Sequence, residues 1–196
     1  MKKLIILVTI IFFSQGSYAK NIAIFLYTSE ECGDKIYEQF TKSYGFERKF
    51  NFNHKNFEYH VTLGFIENVE DSDIKELKTE IKNLLKFHIK DEMYFQFGVL
   101  SMLGKGTPYI VALPKNGIDF IKLNNEINNF VSSYKNSKYK MSDFTQKDNY
   151  IPHLSLNAKL HKNIKAQALY ETFTNLNHTI DGYSLPLSKL VIKSEK

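Results

Sequence analysis

Two short segments of this sequence follow one pattern, in which a histidine precedes an apolar residue, a hydroxyl residue and a second apolar residue. The first segment lies in residues 59–63 and the second in residues 152–156. Side chains along a β-strand alternate between its two faces. Each segment therefore predicts a strand with an imidazole and a hydroxyl on one face and apolar side chains on the other. The polar positions are His60, Thr62, His153 and Ser155.

The two segments occupy equivalent places in a repeated order of elements. Each half of the chain is predicted to run strand, helix, strand, helix, strand, from the spacing of its apolar residues. In the first half, Ser72 or Asp73 is the predicted cap of the second helix. The predicted elements cover 22–26, 29–44, 57–66, 72–85 and 93–103, then 109–113, 118–134, 150–157, 164–176 and 183–192. A turn is predicted at 104–108, which combines two glycines with a proline.

The composition and the connections predict one α+β body. A hydrophobic fraction of 43% and a charged fraction of 24% exclude disordered and collagen-like chains. No Gly/Ser-rich linker separates the halves, so they are predicted to pack directly as two lobes of one domain, residues 20–196. The lobes are predicted at about 20–103 and 104–196. The polar segment 135–149 is long for a loop and is interpreted as a cover over a site or as a mobile surface loop.

Residues 1–19 have the features of a secretory signal peptide. Lys2 and Lys3 precede an apolar run at 4–13, and residues 17–19 fit the small-x-small rule for cleavage after Ala19. The apolar run is too short to cross a bilayer comfortably. The sequence therefore predicts an exported protein, periplasmic or secreted, with no stable membrane association after cleavage. The alternative is an uncleaved anchor or a buried first strand.

The charge and the cysteine content narrow the classes of partner and site. The formal net charge is +5, and removal of Lys2 and Lys3 with the signal peptide lowers it to +3. This small excess of positive charge is compatible with an anionic substrate but is too small to indicate an extended nucleic-acid-binding surface. Cys32 is the only cysteine. That count excludes an internal disulfide and a zinc site built on thiolates.

The two segments and their places in the repeated order resemble the 2H phosphoesterase superfamily. The mark of that superfamily is two His-x-Thr/Ser-x motifs on paired strands, one in each lobe, and the resemblance covers residues 22–192. Pro152 also matches the second motif, and Ser155 stands where threonine is commoner. An arginine often found shortly after that motif is absent, and Lys159 is the nearest cation. The resemblance implies two pseudo-symmetric lobes, each an antiparallel sheet with helices on the outside, and a site in the cleft between them.

The resemblance also implies that His60, Thr62, His153 and Ser155 are catalytic. The implied reaction is hydrolysis of a nucleotide or RNA-end phosphodiester, such as a 2′,3′-cyclic phosphate or a 2′-5′ linkage. Two imidazoles suit it, because one takes a proton from water while the other gives one to the leaving ribose oxygen near neutral pH. The hydroxyls can donate to the non-bridging oxygens. No metal ion or other cofactor is required, since the motif strands do not supply three converging ligands.

Weaker predictions concern substrate contacts and partners. An aromatic ring can stack on a base and a lysine can meet a phosphate, although aromatic residues beside a strand are more often core. The candidate substrate contacts are Tyr59, Lys105, Tyr150 and Lys159. The predicted partner is a nucleotide or a short RNA, and the protein is predicted to be a monomer. Two alternatives stay open: a secreted protein that binds nucleotides or RNA ends without turnover, and an unrelated α+β secreted protein with fortuitous motifs.

Overall fold

The computed structural model describes residues 19–29, 31–36, 38, 50–52, 57–89, 93–103, 109–160, 170–171, 173–175, 177 and 182–195, with backbone alone at 50–52 and 157–160. The strands in this part are β1 Lys20–Thr28, β2 Phe50–Phe52, β3 His60–Val69, β4 Met93–Leu103, β5 Tyr109–Pro114, β6 Lys140–Met141, β7 Leu154–Leu160 and β8 Ser184–Glu195. The long helices are α1 Asp71–Lys86 and α2 Gly117–Ser133. Residues 31–36 are also helical. The predicted turn at 104–108, and the predicted signal peptide apart from Ala19, lie outside the described residues.

The strands form one antiparallel sheet in the order β2-β7-β5-β4-β8-β1-β3-β6, which confirms the predicted α+β class. An additional pairing joins β3 to β7 through Val61 and Leu154, so six of the strands close into a ring. Strands β4 and β8, the last strands of the two halves, pair with each other. Strand β4 also pairs with β5 of the second half, and β8 also pairs with β1 of the first half. The boundary between lobes near residue 103 stays a prediction.

The main core lies between one face of this sheet and the two long helices. Helix α1 contributes Leu77, Ile81 and Leu85, and α2 contributes Phe120 and Ile127, all with no exposed surface. Their spacing of four or seven residues places the buried side chains of each helix on one face, as expected of an amphipathic helix. Among the helices of the described part, none is both long and apolar enough to span a bilayer.

The opposite face of the sheet carries the motif side chains and a smaller apolar cluster. In β1, Ile22, Ile24 and Leu26 enter the main core, whereas Phe25 and Tyr27 point to the other face. Both sets are buried, with at most 6% of any of these residues exposed. Strand β1 is therefore buried on both faces, which explains why its sequence is a nearly continuous apolar run.

The predicted cap of α1 by Ser72 or Asp73 is wrong, because the helix begins at Asp71, before both residues. Its N-cap position is Glu70, and no side chain caps it. Asp73 instead accepts hydrogen bonds from the Nζ atoms of Lys135 (2.9 Å) and Lys138 (2.8 Å) and from the hydroxyl of Tyr139 (2.6 Å). This carboxylate holds the turn after α2 against the first turn of α1.

The polar segment 135–149 is tied to the motif strand β3. The side-chain amide of Asn124, which is fully buried in α2, donates to the carbonyl oxygens of Leu63 (2.8 Å) and Thr145 (2.9 Å). The hydroxyl oxygen of Thr145 accepts a hydrogen bond from the amide of Phe65 (3.1 Å). The segment also contains β6, which pairs with β3. Buried hydrogen bonds thus hold this segment beside the strand that carries His60 and Thr62.

Candidate active site

The two motif histidines have matching hydrogen bonds. Nδ1 of His60 donates to the carbonyl oxygen of Glu58 (2.7 Å), and Nδ1 of His153 donates to the carbonyl oxygen of Ile151 (2.8 Å). A carbonyl oxygen can only accept, so Nδ1 carries the proton in the neutral form of each ring. Nε2 of each ring is left to accept a proton when neutral or to donate one when charged.

The closure of the sheet brings the two histidines together. Val61 pairs with Leu154, and each directly follows one of the histidines. Along both segments the histidine and the hydroxyl residue are partly exposed, whereas the apolar residues between and after them are fully buried. The predicted alternation of faces is therefore confirmed, and one sheet face carries the four polar positions of the two motifs.

Burial lowers the pKa of both histidines, and neighbouring positive charges lower that of His60 further. For His60, burial is the main cause, the hydrogen bond to the Glu58 carbonyl opposes it, and the positive charges of Lys193 and His153 lower the pKa further. The Glu58 carboxylate acts in the opposite direction. For His153, burial lowers the pKa and the hydrogen bond to Ile151 opposes it. Both rings therefore favour the neutral form more than an exposed histidine does.

Four residues around His60 were not predicted from the sequence. The rings of Phe25 and Tyr27 lie 4.6 and 5.0 Å from the His60 ring, centroid to centroid. Nζ of Lys193 donates a 2.8 Å hydrogen bond to the Tyr27 hydroxyl and forms a 3.2 Å ion pair with Glu58. The predicted last strand ended at residue 192, but the polar end of β8 continues to pair with β1. The sequence signal that could have identified Glu58 is its position two residues before His60, because residues two apart on an extended segment lie on the same face.

Two of the weaker predicted substrate contacts lie in the core. Tyr59 is 2% exposed and its ring packs edge-on against Phe57 at 5.0 Å. Tyr150 is 8% exposed, and its hydroxyl donates to the carbonyl oxygen of Thr62 at 2.8 Å. Burial raises the pKa of Tyr150 well above its usual range. Both tyrosines support the motif strands, and Tyr59 also lines the cavity next to Glu58. A contact of either tyrosine with substrate stays a prediction.

The two lysines predicted as substrate contacts cannot be placed in the site by their side chains. The backbone of Lys159 belongs to β7, where it pairs with Tyr109 and Asn51, and its side chain lies outside the described part. Lys105 also lies outside the described residues. Within the described part, no group of three or more His, Cys, Asp or Glu side chains converges as metal ligands would.

A cavity of about 630 Å³ opens beside His60. Its walls include Tyr27 and Glu58, which both contact His60, and polar groups of Thr28, Ser188 and Lys189. This volume is in the range of small-molecule sites. Space of this size is therefore present next to two residues that contact His60, while His60 itself does not line it.

Comparisons with known proteins identify the fold. No family model matches the sequence, and no curated protein matches it. The PDE domain of MHV ns2 superposes with a TM-score of 0.53 over 89% of this chain and 99% of that chain, at 12% identity. Usb1 of Kluyveromyces marxianus has a TM-score of 0.50 over 88% of this chain and 93% of its own, at 11% identity. A structure described as a phosphoesterase has a TM-score of 0.50 over 90% and 88%, at 13% identity.

All three structures are members of the 2H phosphoesterase superfamily, which is the resemblance that the two motifs suggested. Each similarity spans nearly the whole of both chains, so it includes the sheet that carries both motifs rather than one lobe. At 11–13% identity the similarity concerns the fold. This chain has the fold of the 2H phosphoesterases.

Proposed function

We propose that this protein is a 2H-type phosphodiesterase whose catalytic residues are His60, Thr62, His153 and Ser155. The observation that carries the proposal is the matched pair of histidines, each with Nδ1 bonded to a backbone carbonyl, on strands joined by the Val61–Leu154 pair. Two imidazoles with available Nε2 atoms supply a base and an acid in one site. A protein that only binds its ligand has no need of this symmetry.

The proposed substrate is a nucleotide or an RNA end that contains a 2′,3′-cyclic phosphate or a 2′-5′ linkage. One imidazole takes a proton from water as its oxygen attacks phosphorus, and the other gives a proton to the leaving ribose oxygen. The hydroxyls of Thr62 and Ser155 donate to the non-bridging oxygens and stabilise the charge that develops there. Proton transfer and charge stabilisation are thus assigned to side chains of this chain, and the proposed reaction is metal-independent.

The proposed location is outside the cytoplasm, either periplasmic or secreted. The support is the order of features in residues 1–19, where two lysines precede a short apolar run and a small-x-small cleavage site. An exported phosphodiesterase of this kind acts on cyclic nucleotides outside the cytoplasm or on the nucleotides of a host. We propose that it does so as a monomer.

The test is turnover of 2′,3′-cyclic AMP and of a 2′-5′-linked oligoadenylate by the purified protein with EDTA present. The expected result is hydrolysis of at least one substrate, with the His60→Ala/His153→Ala double variant as the inactive control. Loss of turnover on chelation, with recovery on adding zinc or manganese, would favour a metallohydrolase instead. Tight binding without turnover would support a binding protein, and neither binding nor turnover would indicate fortuitous motifs.

A further inference from the structure

A closed set of contacts surrounds His60. Its Nδ1 donates to the carbonyl oxygen of Glu58, whose carboxylate pairs with Lys193 at 3.2 Å. Nζ of Lys193 lies 2.8 Å from the Tyr27 hydroxyl and 4.9 Å from the centre of the Tyr27 ring. The Tyr27 ring in turn lies 5.0 Å from the His60 ring. Lys193 is therefore held next to His60 by three groups, an anion, a hydroxyl and an aromatic face.

Among the described side chains, the corresponding position at His153 has no such arrangement. Ile151 occupies the position that Glu58 occupies in the first motif. Its backbone carbonyl accepts the same hydrogen bond from the histidine, but its side chain carries no carboxylate. The aromatic neighbour of His153 is Tyr109, with ring centroids 6.4 Å apart. Apart from its reciprocal repulsion with His60, no charged group among the described side chains shifts the pKa of His153. The two histidines share their backbone geometry but differ in their charged surroundings.

This difference acts on the proton affinity of His60. A nearby cation disfavours the imidazolium form, and a nearby carboxylate favours it. Lys193 contributes its own charge and also neutralises Glu58, so both of its effects keep His60 neutral. Among the described residues, the groups that face His60 are Phe25 and Tyr27 from β1, Phe57 and Glu58 from the segment before β3, Lys193 from β8 and His153 from the segment before β7.

We propose that Lys193 is a positioning residue which keeps His60 as the base of the pair and leaves His153 as the acid. The proposal rests on the proposed function. A water oxygen attacks phosphorus as its proton passes to Nε2 of His60. The bond from phosphorus to the ribose oxygen breaks as that oxygen takes a proton from Nε2 of His153. Lys193 touches neither substrate nor water in this scheme and acts through His60 and Glu58.

The first experiment measures the His60 titration directly, by NMR of the imidazole Cε1–H in the His153→Ala protein at low salt. Lys193→Met should raise the pKa of His60 by roughly 0.5 unit, the size expected for loss of a nearby, partly screened cation. Glu58→Gln should lower it, and Lys193→Arg should restore the wild-type value. A Lys193→Met value within 0.1 unit of the wild-type value, or shifts of the same sign in Lys193→Met and Glu58→Gln, would overturn the proposal.

The second experiment assigns the roles from residual activity. If His60 is the base, the residual rate of His153→Ala rises with pH through the His60 titration, and the added Lys193→Met substitution moves that rise to higher pH. A residual rate that falls with pH would make His60 the acid and overturn the assignment. The NMR titration needs no substrate, so it measures the effect of Lys193 on the pKa of His60 even if the wild-type protein hydrolyses nothing. Absence of hydrolysis would separately refute the proposed function.

Discussion

Val61 and Leu154 pair across the two motif strands, and this single residue pair closes six strands into a ring. Both side chains are fully buried in the main core. Because each follows a motif histidine, the pairing sets the backbones of His60 and His153 side by side while their rings face the opposite surface of the sheet. The core and the candidate active site are therefore two faces of the same pair of strands.

His60→Ala and His153→Ala should each lower kcat/KM by at least ~100-fold. General acid or base catalysis typically contributes 10²–10⁴, and each variant removes one partner of the pair. The rate should be measured on 2′,3′-cyclic AMP, with circular dichroism to verify that the fold is kept. The matched control is His88→Ala, an exposed histidine paired with Glu126 away from the motifs. A loss of tenfold or less in kcat/KM for both motif variants would contradict the assignment of His60 and His153 as the catalytic acid and base.

Thr62→Ala and Ser155→Ala should each cost about 10-fold to 100-fold in kcat. Each removes one hydroxyl donor to the developing charge on the phosphate oxygens, while the two imidazoles and the other donor remain. The measurement is kcat and KM on the same substrate. Thr62→Ser and Ser155→Thr keep the hydroxyl and should stay within a few-fold of the wild type. If the alanine variants match these conservative variants, the hydroxyls have no part in the reaction.

The pH profile of kcat/KM should be a bell centred below pH 6.5. Burial lowers the pKa of His60 and His153 below the ordinary value of about 6.5. Because kcat/KM reports the free enzyme, the maximum falls midway between these two lowered values. A bound phosphate favours the imidazolium form, so the bell in kcat should lie at higher pH. A kcat/KM maximum above pH 7, or a flat profile from pH 5 to 9, would contradict this account.

Tyr150→Phe should lower the free energy of unfolding by about 1 to 2 kcal/mol, because it leaves the Thr62 carbonyl oxygen without its buried hydrogen bond. Urea unfolding measures this change. The control is Tyr170→Phe, which removes the hydroxyl of a tyrosine that is 69% exposed. It should change the free energy of unfolding by less than about 0.5 kcal/mol. Equal effects of the two substitutions would show that the Tyr150 hydroxyl does not support the motif strand.

Asp73→Asn should lower the Tm at pH 7, and the difference from the wild type should shrink as the pH falls below about 4. Hydrogen bonds from Lys138, Tyr139 and Lys135 hold the pKa of Asp73 far below its usual range. A carboxylate with a lowered pKa stabilises the folded state above its unfolded pKa, and this stabilisation is lost as acid protonates it. Thermal unfolding from pH 3 to 7 checks the prediction, with the exposed Asp148→Asn as control. An Asp73→Asn difference that does not depend on pH would contradict it.

Much of the fold could be predicted because it depends on local spacing. The predicted strand at 93–103 matches β4 residue for residue, and the predicted helix at 118–134 lies within one residue of α2 at each end. The motif strands were displaced by three or four residues. Strand β7 begins at Leu154 rather than at 150. Pro152, two residues before Leu154, has no backbone N–H that could donate a hydrogen bond to a neighbouring strand. Strand β8 continues past 192 because its polar end pairs with β1.

The sequence by itself determined which side chains share a face, because alternation along a strand is a property of each segment alone. It therefore identified His60, Thr62, His153 and Ser155 as four polar positions backed by core. Only the tertiary structure decided which residues surround them. Pairing between distant strands brings Lys193 to His60, and packing encloses Tyr59 and Tyr150. These contacts join segments more than 80 residues apart, and no local pattern specifies which distant strand becomes the neighbour.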